Sequence, residues 1–199
     1  VGLSIKDIRK VINSFILFVL SILIINGQGF VLNNILTSKQ KQRVETLINP
    51  SSDPLGSGWN ITQSKIAIGS GGVFGKGFLK GTQTGLNFVP IQSTDFIFSV
   101  IGEEFGYLGS MIFIILYVIF LYRILILSEA QKDRFARVFG YSVFSIFLFH
   151  FTINVSMTLG LFPVIGIPLS LISYGGSSLL SFSLLPFVFL KLNGVKSAI

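Results

Sequence analysis

Cysteine is absent from this sequence, so disulfide bonds and thiolate metal sites are excluded. Charge is also scarce: charged residues make up 12% of the 199 residues, whereas soluble domains carry about 25%. The abundant residues are apolar, since 51% are hydrophobic and 21 are phenylalanine. This balance indicates an integral membrane protein, and we predict an all-α fold, a single membrane domain fragment over residues 1–199.

Basic residues outnumber acidic ones by 15 to 8, which gives a net charge of +7. They lie in short clusters between apolar runs, a pattern that indicates control of membrane topology and argues against nucleic-acid binding. No haem, zinc, nucleotide-binding or Ser-His-Asp signature appears, and no organic cofactor is predicted. The chain begins at Val1 with neither an initiator methionine nor a signal-peptide pattern, so we expect it to be a piece of a longer protein.

Apolar runs predict four transmembrane helices, with both termini in the cytoplasm because basic residues flank the spans on that side. The predicted spans are residues 11–31, 108–127, 138–161 and 174–190, and residues 32–95 form one large extracytoplasmic loop. Residues 96–127 as a single helix would be about 48 Å long, more than a hydrocarbon core of about 30 Å. We therefore predict a separate segment over 96–107, bent near Gly102 and Gly106, and a short amphipathic helix over 61–68.

Asp95 is the most informative residue, because it lies just before a long apolar run, where a charge is costly. An ionisable group at membrane depth is a candidate functional residue. A second interpretation is that Asp95, after Ser93 and Thr94, is the N-cap of a helix, a position that all three residue types favour. The sequence alone leaves both interpretations open.

Two further polar features lie nearer the end of the chain. His150 and Asn154 are four residues apart and share a helix face, where a lone histidine is more often a hydrogen-bond partner of another helix than a ligand. Residues 173–178, Ser-Tyr-Gly-Gly-Ser-Ser, open the last predicted span. Their small side chains suit tight helix packing, whereas an outward-facing helix N-terminus of this kind also suits an anion.

A series of short, different motifs occurs between about Gln42 and the end of the chain. They are Asn49-Pro50, Asp53-Pro54-Leu55-Gly56, residues 63–72 (QSKIAIGSGG), Gly75-Lys76-Gly77, Gly81-Thr82-Gln83, residues 94–98 (TDFIF), Gly102-Glu103-Glu104, Asn154, residues 166–169 (GIPL) and residues 173–178 (SYGGSS). In this order they resemble the SEDS family (shape, elongation, division and sporulation), the bacterial peptidoglycan polymerases. The GSGG and GTQ forms resemble the elongation branch (RodA) more than the division branch (FtsW).

The resemblance implies a ten-helix fold, of which this chain would be the last four helices. It implies polymerisation of lipid II into a growing glycan strand during cell elongation, with undecaprenyl pyrophosphate as the leaving group. The catalytic role falls on Asp95, and substrate contacts are expected from Lys65, Lys76, Gln83, Thr94, Ser173, Gly175, Gly176 and Ser177. Family members usually carry glutamate where this chain has Ile91, so any contribution of that glutamate is missing here.

The resemblance also implies partners and a location. A divalent cation (Mg²⁺ or Mn²⁺) is expected, with its ligands unknown, together with a class B penicillin-binding protein and membrane lipids. The expected location is the bacterial cytoplasmic (inner) membrane, which the protein crosses several times, with its active site facing outward.

Two other functions fit a polar cavity in a membrane protein. A flippase for lipid-linked precursors would have polar residues at all depths, whereas here they cluster at the outer ends of the predicted helices. A non-catalytic scaffold for a penicillin-binding protein would not need Asp95. Both remain alternatives to the outward-facing enzyme that the sequence favours.

Overall fold

The computed structural model describes residues 36–54 and 56–194, a part of the chain that contains helices and turns but no β-strand. The helices are α1 (Ser38–Ile48), α2 (Ser57–Ser70), α3 (Ile97–Glu129), α4 (Arg134–Thr158) and α5 (Gly176–Gly194), with a 3₁₀ turn at Pro50–Ser52. The chain divides into two compact units, residues 1–44 and residues 45–199. The packing described below is that of the second unit, from Glu45 onward.

Three of the described helices, α3, α4 and α5, are long and apolar enough to cross a membrane. They overlap the predicted spans 108–127, 138–161 and 174–190, whereas the predicted span 11–31 lies outside the described residues. The α4 helix begins before residue 138 because Asp133 caps it, with its carboxylate accepting a hydrogen bond from Ala136 N at 3.4 Å.

A break at Gly106 divides α3 into a short first segment and a longer apolar one, which confirms the predicted bend at Gly106, whereas Gly102 is helical. Gly106 has φ 67° and ψ −163°, a conformation that glycine adopts most readily. The break leaves backbone groups of α3 without partners in the helix, and the loop 72–77 supplies them. Two amides of the loop donate to the carbonyls of residues 103 and 104, at 3.0 and 2.9 Å. Two carbonyls of the loop accept from the amides of residues 107 and 108, at 2.9 and 3.1 Å. A Cβ on Gly75 or Gly106 would clash with the other segment, so this approach requires glycine.

The helix predicted over 61–68 is present and longer, as α2. Its buried residues recur at every third position and so share one face: Gly58, Ile61, Ser64 and Ala67. This face packs on α3 and α4, and Ser64 Oγ donates to the Thr158 carbonyl at 2.8 Å. Because α2 contacts the first segment of α3 and the last turn of α4, it lies at one end of the helix bundle.

The apolar core lies between α3 and α4 and is completed by Phe189 of α5. Aromatic rings fill it, and Tyr117 of α3 stacks on Phe151 of α4 with ring centroids 4.3 Å apart. Phe147 is fully buried and meets Phe120 edge-on at 5.4 Å. Dense packing of this kind fixes the two helices against each other and gives the loops at the α2 end a rigid base.

Candidate active site at the start of α3

Asp95 lies in residues 91–96, the short segment that leads into α3. The helix has Phe96 at its N-cap position without a side-chain capping bond, so the interpretation of Asp95 as the N-cap is wrong. The amides of residues 94, 95 and 96 instead turn back onto the Ile91 carbonyl, at 3.3, 3.1 and 3.4 Å. Ile91 has φ 55°, a left-handed conformation that is strained for a β-branched residue. This turn replaces a side-chain cap, so the Asp95 carboxylate makes no capping hydrogen bond to α3.

The backbone around Asp95 is held from the other side by residues distant in sequence. Tyr174 N donates to the carbonyl of residue 93 at 2.8 Å. The Ser173 hydroxyl donates to the next carbonyl, and Asn154 Nδ2 donates to that of Asp95 itself at 2.8 Å. The three carbonyls of residues 93–95 are therefore each held by a donor from α4 or from the segment that precedes α5.

The Asp95 carboxylate faces the loop between α4 and α5. Its Oδ2 atom is 3.2 Å from the position that a Cβ on Gly166 would occupy, and Gly166 has φ 77°. Any side chain at residue 166 would therefore be strained and in contact with the carboxylate. Partial burial raises the pKa of Asp95, and a hydrogen bond with the Thr94 side chain opposes that change. A carboxylate in these surroundings is a stronger proton acceptor than one in open solvent.

The facing loop, residues 159–175, is fixed to α4 by the two polar side chains predicted to share a helix face. His150 Nδ1 lies 3.2 Å from the Pro168 carbonyl, which as an acceptor selects the tautomer with a proton on Nδ1. Asn154 Nδ2 also donates to the Ile167 carbonyl at 2.8 Å. Both residues therefore serve as hydrogen-bond partners, and both hold the loop that meets Asp95.

A second polar centre surrounds Glu103, which is fully buried in the first segment of α3. Its Oε1 atom accepts from Lys76 Nζ at 2.6 Å and from the amides of Thr82 and Gln83 at 2.8 Å each. Its Oε2 atom accepts from the amide and the hydroxyl of Thr84, both at 2.8 Å. Such an array of donors suits an ionised carboxylate, and it folds the loop 76–84 around this side chain.

The neighbouring residue, Glu104, lines a cavity of about 280 Å³. The cavity lies between one face of α3 and the loop 79–93, and its other polar lining residues include Thr84, Gln92 and Ser93. No hydrogen bond or ion pair reaches the Glu104 carboxylate from residues 36–54 or 56–194. Within those same ranges, no three His, Cys, Asp or Glu side chains come together in a way that would hold a metal ion.

The structure brings together Thr94, Asp95 and Ser173 among the residues predicted for the site. Gly175, Gly176 and Ser177 follow directly at the start of α5. Gly176 is exposed and a Cβ added to it would meet no atom of the described residues within 4 Å, so packing against that part of the chain does not require glycine there.

The predicted residues of the large loop lie elsewhere. Lys65 is on the exposed side of α2 with its side chain against Gly160, and in the part of the chain that the structure describes its ammonium forms no ion pair. The Lys76 ammonium is bound to Glu103 and to the Thr82 hydroxyl, the latter at 2.6 Å. The amide of Gln83 is bound to Glu103 as well. Lys76 and Gln83 thus have structural partners, and their substrate contacts stay predictions.

Sequence reasoning missed the contact between Asn154 and Asp95 and the central position of Glu103. Asn154 stands 59 residues from Asp95, so no local pattern connects them. A signal for Glu103 was present, because an acidic residue inside an apolar run needs partners when it is buried. Those partners include the amides of Thr82 and Gln83 in the Gly81-Thr82-Gln83 motif. The motif can be recognised in the sequence, but the sequence does not show that it binds Glu103.

Comparison with protein families gives a match to the model of the FtsW/RodA/SpoVE cell cycle proteins over residues 2–196. The chain is similar to the peptidoglycan glycosyltransferase RodA of Treponema pallidum (strain Nichols), with 48% identity over 145 residues, which are 73% of this chain and 34% of that protein. It is similar to the peptidoglycan glycosyltransferase MrdB of Escherichia coli (strain K12), with 48% identity over 141 residues, or 71% and 38% of the two chains. The chain therefore spans about a third of the length of these relatives.

A probable peptidoglycan glycosyltransferase FtsW of Trichlorobacter lovleyi is 42% identical over 139 residues, which are 70% of this chain and 36% of that protein. Among solved structures, the chain resembles one from a peptidoglycan synthase complex that coordinates polymerization and crosslinking. The TM-score is 0.68 at 30% sequence identity, and the match covers 89% of this chain and 47% of that one.

Proposed function

Because the chain belongs to the FtsW/RodA/SpoVE (SEDS) family of membrane proteins, we propose that its full-length parent is a peptidoglycan glycosyltransferase. The parent would polymerise lipid II during cell elongation and release undecaprenyl pyrophosphate. The observation that carries the proposal is the half-buried Asp95 carboxylate, held on an immobilised segment in a chain 48% identical to named peptidoglycan glycosyltransferases.

In the proposed reaction, Asp95 is the general base. The carboxylate takes the proton from the acceptor sugar hydroxyl while that oxygen attacks the anomeric carbon of the donor. The new glycosidic bond forms as the bond to the pyrophosphate breaks, and the pyrophosphate leaves with the electron pair. Burial favours this role by raising the pKa of Asp95, and the hydrogen bonds to residues 93–95 favour it by fixing the position of the base.

The proposal includes a topology and partners. The chain would contribute four spans to the parent, with the loop 32–95 and the site on the outer face of the bacterial cytoplasmic membrane. Lipid II and the growing strand would reach Asp95 from that face. A class B penicillin-binding protein is the proposed protein partner, and the likeness to a chain of a synthase complex that couples polymerization to crosslinking supports it.

The proposal also includes a divalent cation, for which the described residues offer few ligands. The described residues lack a three-residue metal cluster, whereas Mg²⁺ is often held by one or two carboxylates, several waters and substrate phosphates. The cation would neutralise charge on the pyrophosphate, which leaves Asp95 free to act as the base. Electron paramagnetic resonance of Mn²⁺ added to the purified parent, with and without lipid II, tests this: no bound Mn²⁺ in the presence of lipid II would remove the cation from the proposal.

The test of the function is polymerisation of purified lipid II by the full-length parent in detergent or vesicles. Glycan strands seen by gel electrophoresis would support the glycosyltransferase. Transfer of lipid II across a vesicle membrane without polymer would support the flippase alternative. A parent that does neither, yet binds a penicillin-binding protein, would support the scaffold.

We predict that Lys65 binds the pyrophosphate of lipid II, because its ammonium is exposed while that of Lys76 is bound to Glu103. Lys65→Ala should weaken lipid II binding by about tenfold, the effect of losing one charged contact of about 1.4 kcal/mol. The matched control is Lys39→Ala, since Lys39 is an exposed lysine of the same loop. Equal effects of the two substitutions on the binding constant would mean that only the general positive charge of the loop matters.

The amides at the start of α5 are predicted to hold a phosphate or a sugar hydroxyl, since the first amides of a helix have no partner within it. Gly176→Ala adds a methyl group in open space, so the melting temperature should stay within about 2 °C of wild type, as for a neutral surface change. Lipid II binding should weaken, because the methyl group would cover the amides. Unchanged binding, measured on the same purified protein, would exclude this end of α5 from the site.

A further inference from the structure

We infer that Asn154 is a positioning residue for Asp95, which it holds together with Ser173 through the main chain. The inference rests on the proposed function, because Asp95 is the proposed base. Asn154 donates to the Asp95 carbonyl and not to its carboxylate, so it would act without touching the reacting atoms.

The surroundings of Asn154 show what its side chain is for. The residue is 0% exposed near the C-terminal end of the apolar α4 helix, and a buried polar side chain is costly unless its donors and acceptors are paired. Its Nδ2 group donates to the carbonyls of Asp95 and Ile167, both at 2.8 Å. Within the described residues its Oδ1 atom has no partner. The hydrogen bonds that this side chain makes to the described residues therefore come from its two N–H donors and not from its oxygen.

The two acceptors belong to the two segments that meet at the Asp95 carboxylate. One carbonyl is that of Asp95, and the other belongs to Ile167, the residue after Gly166, which faces Oδ2 of Asp95. A single amide group thus sets the spacing between the base and the loop it faces. Ser173 makes a second connection, since its hydroxyl donates to the Thr94 carbonyl and accepts from Leu169 N at 2.8 Å.

Among the described residues, loss of the Asn154 donors would leave Ser173 and Tyr174 as the distant partners of the carbonyls of residues 93–95, so the Asp95 carboxylate could rotate away from Gly166. A misplacement of about 1 Å at a reacting group can reduce a rate by about a hundredfold. Substrate binding would change less, because Asn154 is buried and out of reach of lipid II.

The test compares Asn154→Ala, Ser173→Ala and the double variant in the full-length parent, with Asn193→Ala as the matched control. Asn193 accepts a hydrogen bond from Gln131 after the last turn of α3, so its replacement also removes a polar contact between distant segments, away from the site. We expect kcat to fall by about ten- to a hundredfold in Asn154→Ala, with KM within about threefold of wild type. Asn193→Ala should keep wild-type kcat. The effects of Asn154→Ala and Ser173→Ala on kcat should be non-additive, because both residues hold the segment 93–95.

Hydrogen exchange gives a readout that does not depend on activity. The amides of residues 94–96 should exchange faster in Asn154→Ala than in Asn193→Ala, because the segment that carries them is loosened. Unchanged exchange there would overturn the inference even if the parent polymerised lipid II normally. Absence of polymerisation by the wild-type parent would count against the proposed function alone. If Asn154→Ala does not fold, Ser173→Ala, which removes only a hydroxyl, decides the same question.

Discussion

Asp95→Asn is expected to abolish polymerisation of lipid II by the full-length parent while the protein still folds and binds its substrate. Asparagine has the shape of aspartate but cannot accept the proton, and removal of a general base costs about 10²- to 10⁴-fold in rate. The main chain should stay in place, because the bonds that hold residues 93–95 involve backbone carbonyls and not the carboxylate. The measurements are kcat in a polymerisation assay, lipid II binding and the melting temperature.

The control is Glu129→Gln, which makes the same chemical change at an exposed residue at the other end of α3. This variant should polymerise at the wild-type rate. Activity retained in Asp95→Asn would remove Asp95 from the proposed mechanism. Loss of the fold in Asp95→Asn, with Glu129→Gln intact, would instead give Asp95 a structural role.

The parts of the fold that the sequence predicted are those that local patterns determine. Apolar runs located three spans that the structure describes, and the excessive length of residues 96–127 predicted the bend that lies at Gly106. The repeat of apolar and polar residues predicted α2, whose buried positions recur at every third residue. Each of these depends on a few neighbouring residues, which is why composition and periodicity suffice.

The N-cap interpretation of Asp95 failed for a reason that lies outside such patterns. Ser93, Thr94 and Asp95 are all good capping residues, but a turn onto the Ile91 carbonyl takes their amides first. That turn needs a positive φ at Ile91, a conformation that sequence rules do not expect of a β-branched residue. Tertiary contacts from Asn154 and Ser173 hold it, and they come from 59 to 79 residues away.

The proposed site depends mostly on such distant contacts. Sequence reasoning placed Asp95 and the segment 173–178 in one site, and the structure brings them together through Ser173 and Tyr174. It could not show that the Ser173 hydroxyl is bound to the main chain, or that Lys76 is paired with Glu103 across 27 residues. A side chain that resembles a substrate ligand in sequence can therefore be one that builds the site.

Glu103→Gln is expected to destabilise the parent by about 3–5 kcal/mol, the cost of breaking a buried ion pair by removing one partner. Glu103 is fully buried, and its loss of charge would leave the Lys76 ammonium without a counter-charge. Glutamine would also direct an NH₂ group toward one set of the donors that bind Glu103. A fall in the melting temperature, with faster hydrogen exchange over residues 76–84, is the expected measurement.

Glu104→Gln is the matched control, because it makes the same change one residue later, at a carboxylate without a partner among the described residues. It should not lower stability, because Glu104 is buried and neutralising an unpaired buried carboxylate removes a desolvation cost. Lys76→Met should lie between the two, since the amides of the loop would still bind Glu103 after the ammonium is removed. If Lys76→Met instead weakens lipid II binding and leaves the melting temperature unchanged, Lys76 is a substrate ligand after all. Because the two roles affect different measurements, this comparison separates residues that bind lipid II from residues that build the loop beside Asp95.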